Sequence, residues 1–254
     1  MKKIISLVIR KVPRKYLQII SPLALKIIAL FYAGNNVECP VCTKSFRKFL
    51  PYGRTARLNA LCPNCLALER HRLMWLYLKE KTNFFSDKLK VLHIAPEHCF
   101  IHRFEKLTNL DYITADIESP LAKVKMDVHQ IPFDANTFDV AFCNHVMEHV
   151  DDDIKAMSEI YRVLKPGGWA IIQSPINTSR QVTFSDPNAI TPQQREKVYG
   201  QNDHVRDYGK DYKQRLEQGG FNVIEDTFVM ELPKERVKRF ALPEDEIIYL
   251  CKKV

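Results

Sequence analysis

Four of the seven cysteines fall in two pairs of identical internal spacing, CPVC at 39–42 and CPNC at 62–65. Two thiolates separated by two residues bind one face of a tetrahedral ion from a tight knuckle, and a second knuckle completes the sphere. Nineteen residues separate Cys42 from Cys62, within the about 15–20 that zinc ribbons place between their two pairs. Cys39, Cys42, Cys62 and Cys65 are therefore expected to hold a structural zinc, since four protein ligands leave no open coordination position. The competing readings are two disulfides or a thioredoxin-like redox pair. The odd cysteine total and the doubled knuckle favour metal in a reducing, cytoplasmic setting.

A second group of residues with chemical potential lies further along. His145 and His149 stand in CNHVMEH, and His204, Arg206 and Tyr208 stand in DHVRDYG. Either His145 or His149 has the means to accept a proton from a hydroxyl or amine, although His149, like His93, is read as a core histidine. The H-x-x-x-H spacing at 145 and 149 suits zinc on a helix face, yet no third ligand is nearby in the sequence, so a metal is not expected there. Glu97 follows Ala95 and Pro96. None of the eight glycines lies between Gly53 and Gly167, so a glycine-rich phosphate loop is absent.

The elements that must position these residues alternate strand and helix. LKVLHIA at 89–95, DYITADI at 111–117, KVKMDV at 123–128, FDVAFCN at 138–144 and WAIIQS at 169–174 read as strands. A helix is expected through Phe100 to Leu107. Another begins at Asp151, Asp152 and Asp153, carries Ile154, Met157, Tyr161 and Leu164 on its apolar stripe, and ends at KPGG. This order implies an α/β doubly wound sheet with its ligand beyond the carboxyl ends of the strands. Residues 175–210 form a polar insertion after the fifth strand, the place for a substrate lid. Within it Thr191, Pro192 and Gln194 have the chemistry of a helix start. The segments DYKQRLEQGGFNV, IEDTFVM and EIIYLCKK read as a last helix and a closing hairpin.

From VLHIAPE through YITADIE to MDVHQIPFDANTFDVAFCNHVMEHVDDDIKAMSEIYRVLKPGGWAIIQSP, the chain resembles class I S-adenosylmethionine-dependent methyltransferases of the type 11-like group. The likeness covers 89–175 and is most specific from 127 to 169. The first motif departs from the pattern: His93, Ala95, Pro96 and Glu97 stand where the family places an acidic residue and a G-x-G loop. An APE loop with an amino-terminal CPxC module is similar to a bacterial subgroup of that family. The resemblance implies a Rossmann-like seven-stranded sheet, S-adenosylmethionine as cofactor and methyl transfer as the activity. An acidic side chain ending the second strand can take both ribose hydroxyls, which points to Asp116, unless it only caps a helix. By resemblance Asp127 receives the adenine amino group, the Val128 backbone meets the adenine ring, and Asn144 lies near the methionine portion. Glu97, if it does not simply serve a helix terminus, is a carboxylate able to pair with the cofactor's ammonium group. His145 and His204 are the candidate catalytic residues, with Arg206 and Tyr208 on the lid.

The domain map that follows is a basic apolar helical arm at 1–37, a zinc-ribbon-like module at 38–66, a connecting helix at 67–88 and a methyltransferase domain at 89–254. The connecting helix contains Arg70, His71 and Arg72. With Arg54 and Arg57 these form either a phosphate or acidic-sugar site or a solvated, ion-paired face. Of the formal charge of +8, the arm holds seven basic residues and no acidic one, leaving thirty-one basic against thirty acidic elsewhere. Peripheral membrane contact is assigned to this arm, against the alternative of a docked helical extension, while Pro22 and Lys26 interrupt any spanning helix. The near-neutral body argues against nucleic acid as the partner. The methyl acceptor is unidentified, with a small molecule or a glycan- or lipid-linked intermediate favoured. An inactive methyltransferase-like scaffold and an RNA methyltransferase gripping RNA through the zinc module remain as alternatives.

Overall fold

The computed structural model describes residue 25 and residues 27–254; the membrane-contact expectation for 1–37 falls largely outside them. No helix among the described residues is long and apolar enough to cross a membrane. The chain forms two compact units. One comprises the described residues through Phe85 with Glu97–Lys106 and Thr227–Glu246, and the other comprises Ser86–Pro96, Leu107–Asp226 and Ile247–Val254. These units do not follow the linear map, because two segments within 89–254 cluster with the cysteine module.

In the first unit, β1 (Ala33–Cys39) pairs antiparallel with β2 (Lys44–Phe46), and β3 (Leu50–Tyr52) with β4 (Arg57–Leu61). Each hairpin delivers one CPxC knuckle. The amide of Thr43 donates to the carbonyl of Cys39 at 2.7 Å and that of Leu66 to Cys62 at 3.0 Å. Thr43 (φ 56°) and Leu66 (φ 65°) both adopt the left-handed conformation that closes such a turn. Leu66 thus closes the knuckle at the expected end of the module, and the helix that follows, α1, covers Glu69–Lys81, shorter than the expected 67–88. The helix α2 (His98–Phe104), shifted towards the amino terminus from the expected 100–107, stacks Phe100 and Phe104 on Trp75 of α1 with interplanar angles of 9° and 4°.

Arg72 is fully buried in this unit. Its guanidinium donates to the carbonyls of Ala60 (2.8 Å), Ala67 (3.0 Å), Asn59 (3.1 Å), Phe240 (2.7 Å) and Ala241 (2.6 Å), and lies 4.3 Å from the Phe49 ring centre. Arg57 pairs with Glu69 at 3.0 Å, and His71 is buried. The phosphate-binding reading of this basic cluster is therefore corrected: Arg72 uses its donors to satisfy loop carbonyls that burial would otherwise strand.

The second unit is built on a seven-stranded sheet in the order β10-β11-β9-β8-β5-β6-β7. Its strands are β5 (Leu89–Ile94), β6 (Leu110–Asp116), β7 (Val124–Lys125), β8 (Phe138–Asn144), β9 (Leu164–Gln173), β10 (Asn222–Asp226) and β11 (Ile248–Lys252). The first five are parallel, and β11 is antiparallel to both β9 and β10. This is the expected class I sheet, and its closing hairpin has the pairing read from the sequence. β5 and β8 show nearly continuous burial, as strands of a parallel sheet covered on both faces do. Strand order reverses between them, since β5 leads outward to β6 and β7 on one side and the chain returns through β8 to β9 on the other.

Helix α3 (Asp153–Val163) starts at Asp152, whose carboxylate accepts from the Lys155 amide at 3.0 Å, and buries Ala156, Met157, Ile160 and Val163 against the sheet core. It stops before KPGG, which lies inside β9 and not in a loop. The register passes from Phe138↔Leu164 to Val140↔Trp169, so three residues of β9 bulge out. Gly168 is required there, because a Cβ would lie 2.9 Å from the Asp139 carbonyl oxygen. The expected third strand shrinks to the two residues of β7. Asp127 ends it by drawing the His129 amide onto its own carboxylate at 2.8 Å. In the insertion, α4 (Pro192–Tyr199) has the expected reciprocal cap between Thr191 and Gln194 and ends at Gly200 (φ 75°). The last helix of this unit is α5 (Tyr212–Gln218), while α6 (Phe228–Glu231) and α7 (Lys234–Phe240), between β10 and β11, belong to the first unit.

Candidate functional site

The cysteine cluster is the tightest constellation in the molecule. All four cysteines are buried, and their sulfurs lie within 4.8 Å of one another, with Cys39 to Cys65 at 3.6 Å and Cys42 to Cys62 at 3.7 Å. No disulfide joins any of the cysteines among the described residues.

In the second unit, the carboxyl ends of β5 and β8 are adjacent at the point where strand order reverses, and both end in strained backbone. Ala95, after β5, has φ 52°, and His145, after β8, has φ 56°. Non-glycine residues in the left-handed region persist where the surroundings hold them, characteristically at functional sites. Ala95 thus holds a conformation that glycine adopts without steric cost, and its amide is fixed by the Ala115 carbonyl at 2.9 Å.

Asp116 ends β6 as expected. Its Oδ1 accepts from the amides of Glu118 and Ser119, each at 2.7 Å, while Oδ2 makes no hydrogen bond among the described residues. One oxygen shapes the loop and the other faces outward from the chain's own network. Asp127 is exposed, and its Oδ1 takes both the amide and Nδ1 of His129 at 2.8 and 2.7 Å. That backbone donor first, and the His129 ring after it, hold its carboxyl below the ordinary range. Val128 and Asn144 are buried; Asn144 ends β8, whereas Val128 lies past the end of β7. Glu97 belongs to the first unit, where it precedes α2 and its Oε1 stands 3.7 Å from His71 Nε2.

His145 is oriented by a residue that sequence reasoning missed. Its Nδ1 lies 3.2 Å from Oε1 of Glu148, whose Oε2 accepts from the Ser174 hydroxyl at 2.9 Å. Glu148 is 2% exposed. Burial acts to raise its carboxyl, but the His145 hydrogen bond and the fields of His145 and His149 outweigh this and hold it below the ordinary value. An ionised carboxylate only accepts, so Nδ1 of His145 carries a proton, and in the neutral ring Nε2 holds the lone pair. That Nε2 is buried with no hydrogen-bond partner. Only the EH pair in VMEHV signalled Glu148, and the pair names no function.

His149 is partly exposed, not core as expected, whereas His93 is fully buried and bonded to the Tyr112 hydroxyl at 2.6 Å. His149 packs edge-on against His204, ring centres 4.8 Å apart. His204 is buried, and that burial lowers its pKa. Arg206 and Tyr208, expected to face a substrate, are corrected to pins of the insertion. Arg206 is buried and donates to the carbonyls of Met147, Val150 and Asp151. The Tyr208 hydroxyl donates to Asp153 at 2.7 Å, the same carboxylate that Arg215 clasps at 2.6 and 2.9 Å.

Residues 90–172 match the methyltransferase domain family. The chain is 36% identical over 95 residues to sterol 4-C-methyltransferase strm-1 of Caenorhabditis elegans, an alignment covering 37% of this chain and 27% of that protein. It is 43% identical over 58 residues to the ubiquinone/menaquinone biosynthesis C-methyltransferase UbiE of Desulfotalea psychrophila, covering 23% and 24% respectively. The chain thus spans about a quarter of the length of the curated relatives it matches. A crystal structure of an S-adenosylmethionine-dependent methyltransferase from Mesorhizobium loti is 12% identical, with a TM-score of 0.43, covering 70% of this chain and 97% of that one. The matched residues 90–172 run from β5 to β9 and carry Asp116, His145 and Glu148, so the likeness to the methyltransferase domain family falls on the part of the sheet that holds these side chains.

Proposed function

We propose that the chain is an S-adenosylmethionine-dependent methyltransferase acting on a small or lipid-linked acceptor, with a structural zinc in its cysteine module. The observation that carries the methyltransferase reading is the placement of Asp116 and His145 at the carboxyl ends of β6 and β8, beside the reversal of strand order, where α/β sheets bind their ligands. The cofactor, when bound, supplies an electrophilic methyl group on a sulfonium centre.

The residues fit that cofactor. Asp116 Oδ2 is an acceptor for the ribose hydroxyls, while its Oδ1 bonds keep the carboxylate fixed. Asn144 and the Val128 backbone line the same ends of the sheet. Asp127, already committed to His129, offers its other oxygen to an amino group. His145 Nε2, with its lone pair and no internal partner, is placed to take a proton from the acceptor's nucleophile, and Glu148 stabilises the imidazolium that results. The acceptor class rests on the named relatives, a sterol methyltransferase and a quinone-biosynthesis methyltransferase.

For the cysteines, Zn–S bonds of about 2.3 Å place tetrahedral sulfurs about 3.8 Å apart, and the pairs at 3.6 and 3.7 Å already stand near that spacing. Four thiolates around one zinc carry a net double negative charge. Buried Arg72 has no carboxylate partner among its hydrogen bonds and sits within the field of Cys39, Cys62 and Cys65, so it offsets part of that charge.

Calorimetric titration with S-adenosylmethionine tests the reading: binding at or below millimolar concentration is expected, and its absence favours the inactive-scaffold alternative. His145→Gln should retain cofactor binding and lose roughly a hundredfold in turnover. Unchanged turnover would remove the base.

A further inference from the structure

The second unit contains a second metal-type constellation, distinct from the cysteines, which shares Glu148 with the site proposed for methyl transfer. The carboxylate of Glu148 and the rings of His149 and His204 each offer a ligand atom within 4.8 Å of the others. Sequence spacing pointed to His145 with His149 and found no third ligand. The fold instead brings His204 back across fifty-five positions onto His149, and Val205 ties that return to the Glu148 carbonyl through its amide at 2.9 Å. Arg206 then locks the following residue to the Met147, Val150 and Asp151 carbonyls.

The orientation of two of the three donors is set from outside the cluster. Nδ1 of His149 lies 3.1 Å from the Asp203 carbonyl oxygen. A carbonyl only accepts, so Nδ1 carries the proton and the Nε2 lone pair is left on the side of Glu148, whose Oε1 stands 3.9 Å away. Metal-bound histidines are held in this way, with the far ring nitrogen donating to a backbone carbonyl. The Glu148 carboxylate is similarly anchored, by the Ser174 hydroxyl at 2.9 Å and by His145 Nδ1 at 3.2 Å. Its only basic neighbours within ion-pair distance are His145 and His149; no lysine or arginine reaches it among the described residues.

We infer that Glu148, His149 and His204 bind a divalent transition-metal ion of the zinc class. Two imidazoles and one carboxylate are the donor set of open zinc sites, where three protein ligands leave a position for water or a ligand. Zinc bonded to nitrogen and oxygen at about 2.0–2.2 Å needs donors about 3.4 Å apart. The present spacing closes to that by side-chain movement of about 1 Å, so this site is looser than the cysteine site and exchanges its ion more readily.

Full-length protein, equilibrated with zinc and dialysed against metal-free buffer, should hold about two equivalents by elemental analysis. His149→Ala and His204→Ala should each hold about one, with the cysteine site intact. Titration of the unmutated protein with cobalt(II) gives an independent readout. The first equivalent should show sulfur-to-cobalt charge transfer, and the second should show only the weak visible bands of a nitrogen–oxygen site. Zinc content unchanged in both variants, or a cobalt titration that stops at the thiolate equivalent, overturns the inference. Failure of S-adenosylmethionine binding has no bearing on it, since no cofactor enters either measurement.

Discussion

The cysteine cluster and the Glu148–His149–His204 cluster differ chiefly in how their ligands are brought together. Each cysteine pair sits in one knuckle, and each knuckle is closed by an amide-to-carbonyl bond between residues four apart, Thr43 to Cys39 and Leu66 to Cys62. The sulfurs are consequently near tetrahedral spacing before any ion is considered. The histidine cluster has only two adjacent ligands, and its third arrives on an insertion held by buried pins. Local closure yields a rigid, fully coordinated site suited to holding structure. Closure through a distant segment yields a looser site with an open position, next to the residues assigned to chemistry. Stability and reactivity are thus separated between the two units.

The contrast is broken most severely by removing the zinc proposed for the first cluster. Structural zinc contributes on the order of 10 kcal/mol to small modules, so a strong chelator or Cys62→Ser should abolish cooperative melting of the first unit, as followed by circular dichroism. An undiminished melting temperature would mean that the thiols alone suffice.

The next largest effect is expected at Asp153, which joins Tyr208 and Arg215 and thereby anchors the segment carrying His204. Asp153→Asn leaves buried donors and Arg215 without their charge and should cost about 3–5 kcal/mol, measured by urea unfolding. Although burial acts to raise the Asp153 carboxyl, Arg215 and Tyr208 prevail and depress it below its ordinary value. A depressed folded pKa adds stability that is complete above the unfolded value of about 3.9 and disappears as pH falls through the folded one. The difference between the two proteins should therefore be full at neutral pH and narrow below about pH 4.

Asp116→Ala should weaken S-adenosylmethionine about ten- to hundredfold by calorimetry, roughly 1.5–3 kcal/mol, through loss of a charged acceptor. Zinc content should not change. The smallest effect is expected for Glu97→Gln, because in its own unit this carboxylate stands beside His71. A loss of cofactor affinity as large as that of Asp116→Ala would show instead that a carboxylate has replaced the glycine loop.

How far each feature was legible follows the range of the interactions behind it. The knuckles, the Thr191–Gln194 cap and the buried strands β5 and β8 rest on neighbours within a few residues or on one strand's own apolar run, and their signals are local. KPGG follows the end of α3 as expected, but that its glycines bulge a strand was not legible, because the bulge depends on the approach of the Asp139 carbonyl, which belongs to another strand. Arg206 and Tyr208 looked like lid residues for the same reason: polar side chains in a polar insertion give no sign of the carbonyls and the Asp153 carboxylate that will bury them.

From sequence alone this protein's cysteine module, parallel sheet and acidic residue ending β6 were determined, since spacing and periodicity encode them directly. Only the tertiary structure decided that Ala95 keeps a glycine's backbone, that Glu148 orients His145, and that His204 returns to His149. Each of those depends on closing a long loop, and the contacts that repay the entropy of closure are scattered across the chain with no local period to reveal them.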